Sequence, residues 1–151
     1  MLSILLDSKR SPEHFSWFGA IELSSIKEWA TNSRLEFPED LLDFCSQTGG
    51  GDCFESETFF RPTDQPSNAP YFIEGDDFRS ANDHRLKNGM PSVYLAFQDG
   101  SQLSAIRRSD QTYVVLNEKY EVKGVFADFN EWYERTLRTE FAERHGLPSL
   151  D

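Results

Sequence analysis

The sequence predicts an α+β fold in which helices precede an antiparallel β-meander of about four to six strands and one further helix packs on the sheet. Three observations support this prediction. Short segments with alternating apolar residues and tight-turn signals fill the second half of the chain. Helix-capping signals stand on both sides of those segments. A length of 151 residues with 13 phenylalanines suits a single domain spanning residues 1–151.

The N-terminal segment carries the short apolar run Leu2, Ile4, Leu5 and Leu6, which ends at Asp7. It lacks the basic residues and the small-residue cleavage site of a secretory signal peptide. No stretch of the chain reaches the roughly 18 apolar residues that a membrane helix needs, so no membrane association is expected. We expect the run to form a strand or an arm that packs on the core.

Two helices are expected before the sheet. The first opens with the capping-box pair Ser25 and Glu28 and ends near Asn32. The second has Pro38 in its first turn and ends at Gly49, the first of three glycines that turn the chain sharply. Its buried face is predicted to consist of apolar residues at helical spacing: Leu41, Leu42, Phe44 and Cys45.

Strand-like alternation appears in several segments after the glycines. These segments are residues 53–60, 92–98, 103–108, 112–116 and 120–126. The last four are joined by tight turns, of which Asp99-Gly100 is the strongest signal, and they predict the meander. A weaker helix is expected between Asp76 and Leu86.

The closing helix has the clearest pattern in the chain. Asp128 stands at its N-cap with Glu131 three residues later, and Gly146 and Pro148 provide stop signals. Its apolar stripe consists of Phe129, Trp132, Tyr133, Leu137 and Phe141. We therefore expect one continuous helix lying across one face of the sheet.

The net charge of −11 is concentrated in one segment. Residues 35–78 contain eleven acidic residues and a single base, Arg61. Because nucleic-acid phosphates are bound by clustered Lys and Arg, direct nucleic-acid binding is not expected. The segment is interpreted either as a solvated surface or as a docking face for a basic protein. The exposed carboxylates predicted to bind this partner are Asp52, Glu55, Glu57, Glu74, Asp76 and Asp77.

Sequence motifs for catalysis are missing. The chain contains no phosphate-binding loop, no GxSxG and no HExxH motif. His84 beside Asp83 is a possible base, yet it lies in polar surroundings without a nucleophile nearby, and we interpret it as solvated. No catalytic residue and no cofactor are therefore predicted, although a distant pair of carboxylates serving a small hydrolase stays open as an alternative.

Metal binding and cysteine chemistry are not predicted either. The neighbours Asp76 and Asp77 match no calcium-loop spacing. Cys45 lies on an apolar helical stripe, where a thiol acts as a small hydrophobic group. With Cys53 as the only other cysteine, the composition suits a protein of the reducing cytoplasm.

The order of motifs resembles the SMI1/KNR4 (SUKH) superfamily over about residues 24–137. The matching features are the helix start FPEDLLDF at 37–44, the glycine break at 49–51, the strand and turn LAFQDG at 95–100, and FNEW at 129–132. Three positions depart from the family pattern, because Phe37 replaces Leu, Thr48 replaces Asn and Asp128 replaces Ser. Each replacement keeps a capping or packing role.

The resemblance implies a function as well as a fold. Many bacterial members of this family look like immunity proteins, which bind and neutralise a toxin that is often a nuclease. Some eukaryotic members are interaction modules in cell-wall regulation. The resemblance thus implies a protein-binding domain that is not an enzyme, with a basic toxin domain as the leading partner and another interaction partner as the alternative. The oligomeric state stays open.

Overall fold

The computed structural model describes residues 1–64 and 76–151, which form a seven-stranded sheet with helices against it. The helices are α1 (Ser3–Arg10), α2 (Leu23–Asn32), α3 (Glu39–Thr48), α4 (Phe78–Lys87), α5 (Phe129–Arg135) and α6 (Leu137–His145). The strands are β1 (Phe15–Trp17), β2 (Gly51–Cys53), β3 (Glu57–Phe59), β4 (Tyr94–Asp99), β5 (Leu103–Arg107), β6 (Thr112–Leu116) and β7 (Val122–Phe126). A short 3₁₀ turn at Pro12–His14 connects α1 to β1.

The sheet is an antiparallel meander in which the spatial order of the strands is their order in the chain. The α+β class and the meander are confirmed, while the number of strands exceeds the predicted range. One extra strand arises because residues 53–60 form a hairpin instead of a single strand. Phe54 and Glu55 both adopt left-handed backbone conformations, with φ of 51° and 71°, and reverse the chain between β2 and β3.

The N-terminal run forms a helix, so the prediction of a strand or arm is wrong. Ile4 and Asp7, three residues apart, are both fully buried. They lie on the same face of a helix, whereas in a strand they would project from opposite faces. The backbone N–H of Ser3 donates to Asn130 Oδ1 on α5 (2.9 Å), and Trp17 Nε1 of β1 donates to Ser8 Oγ (2.8 Å). These contacts attach α1 to the C-terminal helices and to the first strand.

The two predicted helices before the sheet are present. α2 ends at Asn32 as expected but begins at Leu23, which places Ser25 inside the first turn instead of at the cap. In α3 the predicted face of Leu41, Phe44 and Cys45 is buried. Gly49 ends α3 with φ of 72°, and a Cβ at this position would collide with the carbonyl oxygen of Gly19. The glycine stop is confirmed.

The weaker helix predicted before β4 is present as α4. One of its side chains takes the place of a neighbouring strand beside part of β4. β3 pairs with only Gln98 and Asp99 of β4. Beside the preceding part of β4, the Asn82 amide accepts from the N–H of Ala96 (2.7 Å) and donates to its carbonyl (2.9 Å). One side chain thus satisfies both backbone groups that a neighbouring strand would otherwise pair with.

The C-terminal stripe lies on two helices instead of the predicted one. Thr136, with φ of −116° and ψ of −91°, interrupts the helical backbone between α5 and α6. The predicted aromatic face is nevertheless buried, with Phe129, Trp132 and Tyr133 at 0% exposure. The break changes the direction of the chain and leaves the core positions of both helices intact.

Within the part of the chain that the structure describes, no helix is long and apolar enough to cross a membrane.

Candidate partner-binding surface

A row of polar side chains crosses three strands near the β1 edge of the sheet. Register pairs Asp52 of β2 with Thr58 of β3, and Thr58 with Asp99 of β4. Residues directly opposite in antiparallel strands project from the same face, so these three side chains are neighbours. Thr58 Oγ1 donates to Asp52 Oδ1 (2.7 Å). The next residue of β3, Phe59, points to the other face and packs 4.8 Å from the Phe44 ring of α3.

Two open concavities border this row. One, of about 290 Å³, is lined by Ser56, Thr58, Phe60, Asp76, Asp99 and Gly100. The other, of about 370 Å³, is lined by Glu13, His14, Ser16, Asp52, Cys53 and Glu55. Five carboxylates border them. We call four of these, Asp52, Glu55, Asp76 and Asp99, the acidic sheet patch; the fifth, Glu13, lies 3.5 Å from the imidazole of His14. Three of its four members were predicted from the sequence as partner-binding residues.

Asp76 is a patch member whose ionisation is opposed by its surroundings. Partial burial raises the pKa of Asp76 above its ordinary value, and the nearby carboxylate of Asp52 raises it further. The positive charge of Arg61 acts in the opposite direction, and Asp77 adds a smaller upward contribution. Asp52 and Asp76 are thus two mutually repelling carboxylates on this surface, with the guanidinium of Arg61 partly offsetting the repulsion.

Asp99 is the member that sequence reasoning assigned only to a turn. Its Oδ2 accepts from Arg85 Nη2 of α4 at 2.7 Å, so part of its charge is balanced within the molecule. Asp99 therefore contributes less negative charge to the patch than an unpaired carboxylate would. Its location follows from the β3–β4 register, which the sequence does not reveal.

Glu57 was predicted to be exposed, and this prediction is wrong. The side chain is fully buried and accepts from the backbone N–H of Ser101 (2.9 Å) and from the Ser101 hydroxyl. Burial raises the pKa of Glu57, while the hydrogen bonds from Ser101 oppose the increase. The side chain lies beneath Gly100, where any Cβ would collide with it. Glu57 therefore supports the β4–β5 turn instead of facing a partner.

Asp77 was also predicted to be exposed, and it too has a structural role. It is 6% exposed and caps α4, where its Oδ2 accepts from the backbone N–H of Ser80 (3.0 Å). Of the six predicted residues, three lie at the patch: Asp52, Glu55 and Asp76. Glu57 and Asp77 are buried and structural, and Glu74 lies outside the described residues.

Other acids of the segment 35–78 are likewise committed to internal contacts. Asp40 accepts from the Tyr113 hydroxyl of β6 and from the backbone N–H of Phe129 (2.7 Å), so it joins α3 to the sheet and to α5. Asp64 pairs with Arg79 at 3.0 Å. Among the described residues of this segment, these acids do not contribute to the patch, so the patch is smaller than the charge count suggested.

The catalytic and metal alternatives gain no support from the described residues. No group of three or more His, Cys, Asp or Glu side chains in residues 1–64 and 76–151 could hold a metal ion. Cys45 and Cys53 are free and buried, and burial raises the pKa of both thiols. Asp83 and His84 both lie exposed on α4. The chemistry that the patch offers is charge and hydrogen-bond acceptance.

Comparison with known proteins agrees with this architecture. The model of the SMI1 / KNR4 family (SUKH-1) matches residues 21–135, which is most of the chain. The chain belongs to the SMI1/KNR4 family. The matched residues include α2, α3, the strands β2 to β7 and α5, and they confirm the resemblance found in the motifs. No curated protein matches the chain.

The chain ends outside the family match contact each other. Asp7 of α1 accepts from Arg138 Nε of α6 at 2.9 Å and from the Tyr133 hydroxyl at 2.7 Å. The imidazole rings of His14 and His145 lie 4.6 Å apart. In this SMI1/KNR4 domain the segments on either side of the matched residues are therefore in contact, and the N-terminal one includes the edge strand β1.

Proposed function

We propose that this SMI1/KNR4 domain is an immunity-type protein that binds a cationic toxin domain, a nuclease with a basic substrate cleft, through the acidic sheet patch. The toxin is neutralised by occlusion of its basic substrate cleft, inside the cytoplasm of the protected cell. The observation that carries the proposal is the grouping of Asp52, Glu55, Asp76 and Asp99 around two adjoining concavities.

Two further points support a binding role. Family membership supports a protein-interaction or immunity-type module, in a family whose domains are generally not enzymes. Half of the patch is also anchored to the core, because the hairpin that carries Asp52 and Glu55 is held by the buried Phe54 ring, which stacks on Phe141 at 5.0 Å. Preorganised charge accelerates encounter with an oppositely charged partner and costs little ordering entropy on binding.

Neutralising two patch carboxylates tests the proposal. We expect the double variant Asp52→Asn, Asp76→Asn to bind the toxin domain encoded beside this gene with an association rate lowered by about tenfold. Asparagine keeps an oxygen that can accept from Thr58, so the fold should be preserved. Stopped-flow or surface plasmon resonance measures the rate, and a circular dichroism melt checks the fold.

The matched control is the double variant Glu36→Gln, Glu118→Gln, which removes the same amount of charge from exposed positions outside the patch. An equal loss of association rate in both double variants would show that net charge, and not the patch, guides the partner. A gene neighbourhood without a secreted toxin would contradict the immunity role and favour another interaction partner of the same chemistry.

Proton linkage at Asp76 gives a second test. A bound cation favours the charged carboxylate, so binding should lower the raised pKa of Asp76 and release protons. Affinity should therefore fall as the pH drops through the pKa of Asp76 in the free protein, which lies above the ordinary value of about 3.9. Isothermal titration calorimetry in buffers of different ionisation enthalpy measures the released protons. Asp76→Asn should abolish that release, whereas a release unchanged by this substitution would rule out Asp76 as its source.

A further inference from the structure

A groove between α2 and α3 combines exposed apolar surface with two carboxylates that form no ion pair with any described residue. It encloses about 240 Å³ and is lined by Leu23, Lys27, Glu39, Leu42, Asp43 and Ser46. Leu23 is 41% exposed and faces the partly buried Leu42 across the groove. This volume is below the roughly 300 Å³ of a typical small-molecule site, so it suits a single long side chain.

The negative charges of the groove lie on the α3 side, opposite Lys27 of α2. Glu39 and Asp43 are four residues apart on α3 and therefore project from the same helix face. Across the described ranges 1–64 and 76–151, neither carboxylate forms an ion pair with Lys27 or with any other cation. Asp43 accepts one hydrogen bond, from Gln47 Nε2 at 2.8 Å. The two carboxylates thus have acceptor capacity left for a ligand.

We propose that this groove binds an arginine side chain of a partner protein. The methylene stem would cover Leu23 and Leu42, as long basic side chains do on apolar surface. The guanidinium would lie against Glu39 and Asp43, because its planar fork of N–H donors matches carboxylates better than a lysine ammonium does. The inference rests on the proposed function in one respect: the arginine belongs to the same cationic partner, which gains an anchor separate from the acidic sheet patch.

The groove can be tested without the partner. The probe is acetyl-arginine amide, titrated into the ¹⁵N-labelled full-length protein, with acetyl-citrulline amide as an uncharged probe of nearly the same shape. We expect saturable chemical-shift changes at the backbone amides of Leu23, Lys27, Asp43 and Ser46 with the arginine probe, and much weaker changes with the citrulline probe. Acetyl-lysine amide should bind more weakly than the arginine probe.

Variants identify the groups responsible. Glu39→Gln and Asp43→Asn should each weaken binding by about two- to fivefold. Lys27→Gln removes the groove's own cation and should strengthen binding by about twofold. The control Glu36→Gln removes an exposed carboxylate outside the groove lining and should leave binding unchanged. A general effect of net charge would also give opposite responses to the Lys27 and Glu39 substitutions. The unchanged binding of the Glu36→Gln control is therefore the result that locates binding in the groove.

Three outcomes would overturn the inference. Equal shifts with the citrulline probe would mean that the carboxylates do not recognise the charge. A response of the control equal to that of Glu39→Gln would mean that binding is not located in the groove. Shifts confined to amides around Asp52 and Asp76 would exclude the groove and leave the proposed function standing. Conversely, if the arginine probe bound in the groove while patch variants had no effect on toxin binding, the groove would stand and the role of the acidic sheet patch would fall.

Discussion

Replacing Trp132 with alanine should destabilise the domain by about 3–5 kcal/mol, which is a large share of the roughly 5–15 kcal/mol that holds a typical domain folded. Trp132 is fully buried, and its ring makes edge contacts with Phe97 at 4.8 Å and with Phe59 at 5.8 Å. Its Nε1 donates to Ser104 Oγ of β5 at 3.0 Å. The substitution removes the aromatic surface that joins α5 to the sheet. Urea unfolding followed by circular dichroism measures the change.

The same substitution at two tryptophans compares an indole N–H that is hydrogen-bonded with one that is not. Trp132→Phe removes the donor to Ser104 together with part of a buried ring, and should lose about 1–3 kcal/mol. Trp29 of α2 is partly exposed, and its buried Nε1 has no hydrogen-bond partner among the described residues, so Trp29→Phe should be close to neutral. A Trp132→Ala variant as stable as the parent protein would show that α5 is peripheral to the core.

Removing the carboxylate of Asp7 should cost about 3–5 kcal/mol, although the residue lies outside the family match. Asp7 is fully buried and accepts from both Arg138 and Tyr133. In Asp7→Ala the guanidinium of Arg138, whose side chain is only 14% exposed, would stay buried without its ion pair. Chemical denaturation should show a large shift of the midpoint, while Asp83→Ala at an exposed site should show almost none.

A double variant tests whether the cost comes from the unpaired charge. Adding Arg138→Met to Asp7→Ala removes the buried cation and should recover part of the lost stability, because both members of the pair are then absent. If the double variant were less stable than Asp7→Ala alone, the arginine would contribute through other contacts, such as its hydrogen bond to the Pro148 carbonyl. A loss of less than about 1 kcal/mol for Asp7→Ala would contradict the structural role of the pair.

The parts of the fold that the sequence predicted depend on local signals. The glycine stop at Gly49 and the capping aspartate Asp128 act within one or two turns of a helix, and both appear as predicted. The N-terminal helix was missed because its strongest evidence, the buried Asp7, makes sense only beside Arg138, 131 residues away. The β2–β3 turn was missed because Phe54 and Glu55 use a left-handed conformation without glycine.

The site was predicted less well than the fold, for two different reasons. Glu57 has the same strand parity as the core residue Phe59, but Phe54 and Phe60 have the opposite parity and are buried too, so alternation alone does not decide which face Glu57 occupies. Asp77 precedes Phe78 in a position typical of an N-cap, which is a local signal that was available. Asp99 could not have been found, since its place in the patch is set by pairing with a strand about 40 residues earlier.

The salt dependence of association tests the role of the acidic sheet patch most directly. The rate at which this protein binds the neighbouring toxin domain should be measured at ionic strengths from about 0.03 to 0.5 M, for the parent protein and for Asp52→Asn, Asp76→Asn. The proposal predicts a steep fall of the logarithm of the rate with added salt in the parent and a clearly shallower slope in the variant. A parent slope near zero, or equal slopes for the two proteins, would contradict it.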